Sequence, residues 1–179
     1  FLSEMIRNKR LFDALLPHLP TILNTFAFPR LCFNAKDQQQ WEDDPMEYVR
    51  SMLDPFDDFY SPSANAANLF LDLSKARKKH IFPIVLHQIS TVMNDATADP
   101  RQRDGCFFLV GTLAKMLLKN NMSEAVEQLI SVHILPCLLN TAQSPAYLRV
   151  RALWTIQQFS DLTYKNQETV LTLLRAILA

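Results

Sequence analysis

Carboxylates are the most concentrated chemically active groups in this sequence, and they cluster between Glu42 and Asp58. The stretch holds seven acids and one base, Arg50, so its net charge is −6. The whole chain has 18 basic and 18 acidic residues, so the remainder must carry +6. A concentrated negative surface attracts Lys- and Arg-rich ligands over long distances. This stretch is therefore either a charged binding surface or the start of a helix.

Some of these acids have a structural explanation. Asp44 before Pro45 is a strong helix N-cap, and Glu47 at the third helical position predicts a capping box. Trp41 either pins the chain where it enters that helix or offers its ring to a cation. The carboxylates without a capping role form either a binding surface or an ordinary solvated face; they are Glu42, Asp43, Asp57 and Asp58.

Catalytic and metal-binding groups are less well supported. His80 and His133 each precede an apolar-Pro element, and His87 follows His80 by seven residues, but no convergent partners are visible. The three cysteines are far apart and lack CxxC spacing, which argues against a zinc site or a disulfide framework; they are Cys32, Cys106 and Cys137. There is no Gly-rich phosphate loop and no nucleophile arrangement. We therefore expect no enzyme, no metal and no cofactor.

Positive charge is concentrated in "KARKKH", residues 75–80. This cluster is a localisation or RNA-binding patch, a solvated helix end, or a partner of the nearby acids. Elsewhere, Arg149 and Arg151 are expected to form a structural ladder with Asp104 of a neighbouring helix pair. Ligand contact is the alternative for these arginines.

The elements that position these groups are predicted to be helices. The chain contains only two glycines, whereas sheet proteins need glycine at tight turns. No stretch shows sustained period-two alternation, and apolar residues recur three and four positions apart. No apolar run reaches the 18 or so residues of a membrane span, so we expect no membrane insertion.

The helices are predicted to form a weak repeat. Three segments open with Ser or Asp before Pro, at Ser61, Asp99 and Ser144, as helix N-caps do. Three apolar-Pro-apolar elements, "FAFPRLCF", "HIFPIVLHQ" and "HILPCLLN", indicate bent helices. The unit of 40–45 residues is the size of HEAT and armadillo repeats, which stack into an α-α superhelix. About four helix pairs are predicted, with an acidic insertion at residues 35–61; the pairs are 1–34, 62–96, 100–140 and 145–179.

Four motifs carry a resemblance to a known family. "WEDDPMEY", residues 41–48, and "DPFDDFYSP", residues 54–62, resemble a segment of the importin-β superfamily of nuclear transport receptors. They are most similar to the branch that contains importin seven and importin eight. "ADPRQRDG", residues 98–105, and "YLRVRALW", residues 147–154, also resemble family segments. The likeness covers roughly residues 25–165 and implies a middle portion of a long HEAT superhelix.

The resemblance also implies partners. Family members bind basic protein cargo, contact nucleoporins, shuttle between cytoplasm and nucleus, and release cargo under the control of Ran in its GTP state. The cargo-binding candidates would then be Glu42, Asp43, Asp57 and Asp58, together with Trp41. A neutral chain without basic excess is not expected to bind nucleic acid directly. A static HEAT scaffold in a multiprotein complex is the alternative.

Overall fold

The computed structural model describes residues 8–53 and 61–178, which are helical apart from short connections. No strand occurs in these two ranges, so the prediction of an all-α, HEAT-like fold class is confirmed. The chain divides into two compact units, Phe1–Leu109 and Val110–Ala179. Each unit has its own set of fully buried side chains.

Short helices come first in the first unit and long ones follow. The segments are α1 (Lys9–Leu15), a 3-10 turn (Leu16–His18), α2 (Leu19–Thr21), a π-helical segment (Ile22–Ala27), a second 3-10 turn (Phe28–Arg30), α3 (Ala35–Asp43), α4 (Pro45–Leu53), α5 (Pro62–Asn94) and α6 (Pro100–Thr112). The last three residues of α6, 110–112, already belong to the second unit. Helix α5 packs against the π-helical segment and the second 3-10 turn, and α3 packs against α4. The predicted acidic insertion thus contains two helices in its described part, while the repeat boundaries stay a prediction.

The second unit continues with shorter helices. They are α7 (Ala114–Lys119), α8 (Ser123–Leu129), a second π-helical segment (Ile130–Ile134), α9 (Leu135–Leu139), α10 (Ala146–Gln158) and α11 (Gln167–Leu178). Helix α9 packs against both α10 and α11. The buried carboxylate of Glu127 in α8 accepts hydrogen bonds from the backbone N–H groups of Lys165 at 2.9 Å and Asn166 at 2.7 Å. These bonds fasten the loop that leads into α11.

Burial of large apolar side chains stabilises both units. Full burial of a Leu, Ile or Phe contributes about 1.5–3 kcal/mol. In the first unit the most buried side chains are Leu19, Leu23, Phe70, Ile81, Val85, Phe107 and Leu109, and in the second they are Leu113, Ile130, Ile134 and Phe159. Within the described ranges, no helix is both long enough and apolar enough to cross a bilayer.

At two of the three predicted apolar-Pro elements, a π-helical segment ends two residues before the proline. The N–H of Phe28 donates to the carbonyl of Leu23, and the N–H of Leu135 donates to that of Ile130, five residues back in both cases. Pro29 then follows Phe28, and Pro136 follows Leu135. Proline lacks an N–H and its ring clashes with the carbonyl four residues earlier in a regular α-helix. The wider π turn lets the helix continue past that clash.

The third element bends at a different place from its proline. Pro83 lies inside α5, but the non-helical residue of that helix is Arg77, with φ −137° and ψ 42°. The bend therefore precedes the proline by six residues, and α5 is two helical arms joined at Arg77. The sequence predicted the bent helix but not the position of its bend.

Two of the three predicted Ser/Asp-Pro caps are present. Ser61 Oγ accepts from the N–H of Ala64 at 2.9 Å, and Asp99 Oδ1 accepts from the N–H of Arg101 at 2.8 Å. The prediction for Ser144 was wrong, because Pro145 itself occupies the N-cap position and α10 begins at Ala146. Its extended backbone, with φ −54° and ψ 145°, delays the helix by one residue.

Both glycines of the chain lie in α6, where another element approaches its backbone closely. A Cβ on Gly105 would lie 2.7 Å from Sγ of Cys32, and a Cβ on Gly111 would lie 2.4 Å from Cζ3 of Trp154. Real Cβ atoms do not approach other atoms so closely, so any side chain here would push the packed elements apart. The glycines of this chain thus serve helix packing rather than turns.

We expect Gly111→Ala to lower the free energy of unfolding by about 1–3 kcal/mol, because the new methyl group collides with the ring of Trp154. At an exposed helix position the same substitution would instead raise stability by about 1 kcal/mol. Urea unfolding followed by circular dichroism measures the sign of the change.

The control is the same substitution in a Trp154→Ala background. There the collision is gone, so Gly111→Ala should be neutral or stabilising. A stabilising effect in the chain that retains Trp154 would contradict the close contact.

Candidate functional site

Two of the acidic candidates, Glu42 and Asp43, lie at the end of α3, the first of two short helices whose start is fixed by Asn34. Its side chain accepts from the N–H groups of Lys36 at 2.8 Å and Asp37 at 3.3 Å, and Asp37 Oδ2 accepts from the N–H of Asn34 at 2.8 Å. This is a complete capping box at the beginning of α3. Sequence reasoning missed it, although Asn followed three residues later by an acid was a usable signal.

Asp44 joins the two helices. Its N–H donates to the carbonyl of Gln40, which ends α3, while its Oδ1 accepts from the N–H groups of Met46 and Glu47, both at 3.0 Å. Pro45 occupies the first position of α4 and needs no partner for its nitrogen. Asp44 therefore caps α4 as the sequence predicted.

The reciprocal half of the predicted capping box is absent from this joint. The N–H of Asp44 is already bonded within α3, and the carboxylate of Glu47 accepts instead from Arg50 Nη2 at 2.7 Å. This ion pair is exposed, so it contributes little, about 0–1 kcal/mol. Glu47 and Arg50 therefore neutralise each other on the surface of α4.

An aromatic cluster holds α4 against α3. The rings of Trp41 and Tyr48 meet edge to face, with centroids 5.4 Å apart and planes at 82°. Tyr48 also meets the buried ring of Phe33, with centroids 5.8 Å apart. Edge-to-face pairs contribute about 0.5–1.5 kcal/mol each beyond burial. Trp41 is half-buried and anchors the helix pair, which agrees with its predicted packing role.

Glu42 and Asp43 are the exposed carboxylates of this pair. They lie in the last turn of α3, where negative charge is unfavourable because the C-terminal end of the helix dipole is itself negative. The N-terminal end of α4, which favours negative charge, follows directly. Glu42 Oε1 accepts from Gln38 Nε2, one turn earlier. The other two predicted candidates, Asp57 and Asp58, lie outside the described residues.

The predicted ladder of Asp104 with two arginines stays a prediction. Arg149 Nη1 donates to the carbonyls of Thr141 at 3.1 Å and Ser144 at 2.9 Å, so it secures the loop before α10. Arg151 is buried, and its guanidinium lies over the ring of Trp154, 5.3 Å from the centroid. Both arginines have structural contacts within their own unit. Asp104 is 1% exposed in the first unit.

The cysteines are not activated as nucleophiles. Burial, followed by the negative charges of Asp104 and Asp99, raises the pKa of Cys32 to about 12. Burial also raises the pKa of Cys106, so both thiols stay protonated at neutral pH. Among residues 8–53 and 61–178, no three His, Cys, Asp or Glu side chains come together as a metal site.

We expect Asp44→Ala to lower the free energy of unfolding by about 1 kcal/mol, because two backbone N–H groups lose their acceptor. Asp43→Ala is the matched control: it removes the same charge one residue earlier, from an exposed side chain. Urea unfolding should separate the two variants. Equal stability would contradict the capping role of Asp44.

Comparison with known proteins places this geometry in context. The model of the Cse1 family matches residues 1–179. Importin-8 of Danio rerio is 32% identical over 168 residues, and importin-8 of Homo sapiens is 30% identical over 168 residues. Each alignment covers 93% of this chain and 16% of the relative. The importin beta-like SAD2 homolog of Arabidopsis thaliana is 30% identical over 187 residues, which cover 100% of this chain and 18% of the relative. No solved structure matches the chain.

The chain thus spans only 16–18% of the length of these relatives. The family match nevertheless extends over the whole sequence, and it confirms the resemblance that the four motifs indicated. On this evidence of profile, relatives and all-α architecture together, the chain belongs to the Cse1/importin-β-like family and is a portion of an importin-like protein.

Proposed function

We propose that this chain is part of a nuclear import receptor and that exposed acids of the helix pair α3–α4 (the acidic helix pair), together with two acids of the segment that follows, bind basic protein cargo. The carboxylates assigned to this role are Glu42, Asp43, Asp57 and Asp58. The main support for the proposal is that Glu42 and Asp43 are exposed, whereas Asp44 alone makes the side-chain hydrogen bonds that cap α4 where it follows α3. The exposed pair has no part in that cap.

Rigidity supports the same assignment. Phe33, Trp41 and Tyr48 fix the angle between α3 and α4, so Glu42 and Asp43 are presented by a supported surface. Charged groups held in place lose less side-chain freedom on binding than groups on a flexible tail. Lys and Arg donate charge-assisted hydrogen bonds to such carboxylates, and long-range attraction raises the association rate.

The family supports the wider cycle. Several relatives carry the name importin. We infer that the complete protein is a transport receptor that shuttles between cytoplasm and nucleus, and not an enzyme. We therefore infer that the complete protein contacts nucleoporins during passage through the pore. We also infer that Ran-GTP and cargo favour different conformations of the complete protein, so that each weakens the binding of the other.

The cargo assignment is tested by removing the acids in pairs. Glu42→Ser with Asp43→Ser, and Asp57→Ser with Asp58→Ser, should each weaken binding of a fluorescein-labelled Lys/Arg-rich peptide. The four substitutions together should weaken it about tenfold at low salt, since each exposed ion pair contributes about 0.2–1 kcal/mol. The difference should shrink at 0.5 M salt, where charges are screened.

A matched control removes two exposed acids elsewhere, by Asp13→Ser with Asp161→Ser. It changes the net charge by the same amount as either pair and should leave the affinity nearly unchanged. If the control weakens binding as much as the acidic pairs do, the effect is one of overall charge and the assigned site is wrong.

Regulation is tested on the full-length protein that contains this segment. Immobilised receptor should retain a basic cargo protein without Ran and release most of it when Ran-GTP is added in excess. Ran-GDP is the control and should release little. Retention of cargo in both conditions, with no Ran bound, would favour a static scaffold over an import receptor.

A further inference from the structure

The bend of α5 turns a run of charged residues outward. Residues 75–80, "KARKKH", contain no buried residue, whereas Leu73 and Ser74 before them and Ile81 and Phe82 after them are buried. A straight helix that packs along its length buries some residue in every turn of 3.6. Six successive residues without burial therefore mark a projection from the surface, which we call the basic elbow.

The non-helical backbone of Arg77 produces this projection. Its φ of −137° and ψ of 42° interrupt α5 between two arms that are each packed on the first unit. The elbow carries Lys75, Arg77, Lys78 and Lys79 within six residues, and Asp72 is the acid closest to them along the helix. The projection is therefore strongly positive.

Aromatic rings beneath the elbow hold several of its side chains. The guanidinium of Arg77 lies 4.7 Å from the ring centroid of Phe12, and the ring of His80 lies 5.5 Å from the same ring. The ammonium of Lys78 lies 5.8 Å from the ring centroid of Phe82. Both Phe rings are buried, at 2% and 8% exposure. Cation–π contacts of this kind preorganise positive groups at a surface.

We propose that the basic elbow binds an acidic peptide segment of a partner protein. The four cations of the elbow lie within residues 75–79, so a short run of Asp or Glu side chains in an extended peptide can meet them together. The elbow is a second interaction surface, opposite in sign to the acidic helix pair.

Features of the same surface favour a peptide over a nucleic acid. Proteins that hold single strands stack bases on exposed aromatic rings, and Phe12 and Phe82 are buried under cations instead. The chain as a whole is neutral, with 18 basic and 18 acidic residues, so it lacks the broad positive field that attracts a long polyanion. A short acidic segment needs only the local charge of the elbow.

The test uses the 179-residue chain and three labelled probes of twelve units: an Asp/Glu peptide, a Gly/Ser peptide and a uridine oligonucleotide. Fluorescence anisotropy at low salt should show binding of the acidic peptide and little binding of the other two. Replacing Lys75, Lys78 and Lys79 by Gln together should weaken binding of the acidic peptide about tenfold. Arg77 and His80 are left in place because their contacts with Phe12 support the fold.

The matched control replaces Lys36, Lys115 and Lys119, all exposed, by Gln. It removes the same charge and should change the affinity less than threefold. Circular dichroism confirms that both triple variants remain helical. The proposal is overturned by equal losses in the two triple variants, by absence of acidic-peptide binding to the unchanged chain, or by equal or tighter binding of the oligonucleotide.

Discussion

The missing backbone N–H of proline is the constraint on which much of this structure depends. A helix that passes a proline loses one backbone hydrogen bond and must relieve the clash of the ring with the carbonyl four residues earlier. The chain does this with a π-helical segment before Pro29 and again before Pro136. At Pro45 the missing donor is harmless, because the residue begins a helix. One chemical property thus produces irregular turns within helices and a clean start at the candidate site.

The sequence predicted those features that depend on local chemistry. Apolar spacing and the scarcity of glycine predicted an all-α chain, and the Asp44-Pro45 pair predicted the helix start that the structure contains. The features that it did not predict depend on residues distant in the chain. The sequence does not predict that the ring of Trp154 packs against Gly111. It also does not predict that α5 bends at Arg77 rather than at Pro83. The position of a bend is decided by how both arms pack.

The candidate site shows the same division between local and distant causes. Exposure of Glu42 and Asp43 followed from the absence of any capping role for them, so it was within reach of sequence reasoning. The packing of Trp41 on Tyr48 depends on the angle between two helices, and spacing alone left open whether that ring was core or contact surface. The chain combines a negative helix pair with a positive elbow, and neither is apparent from its net charge of zero.

The aromatic cluster of α3 and α4 has a spectroscopic consequence. The chain contains two tryptophans, and they belong to different compact units. Trp41 meets the ring of Tyr48, whereas Trp154 lies under the guanidinium of Arg151. Each indole therefore has its own emission environment. Replacing either one by phenylalanine would leave a single tryptophan, which can be excited apart from the four tyrosines at long wavelength, so that the melting of each unit could be followed without any added dye.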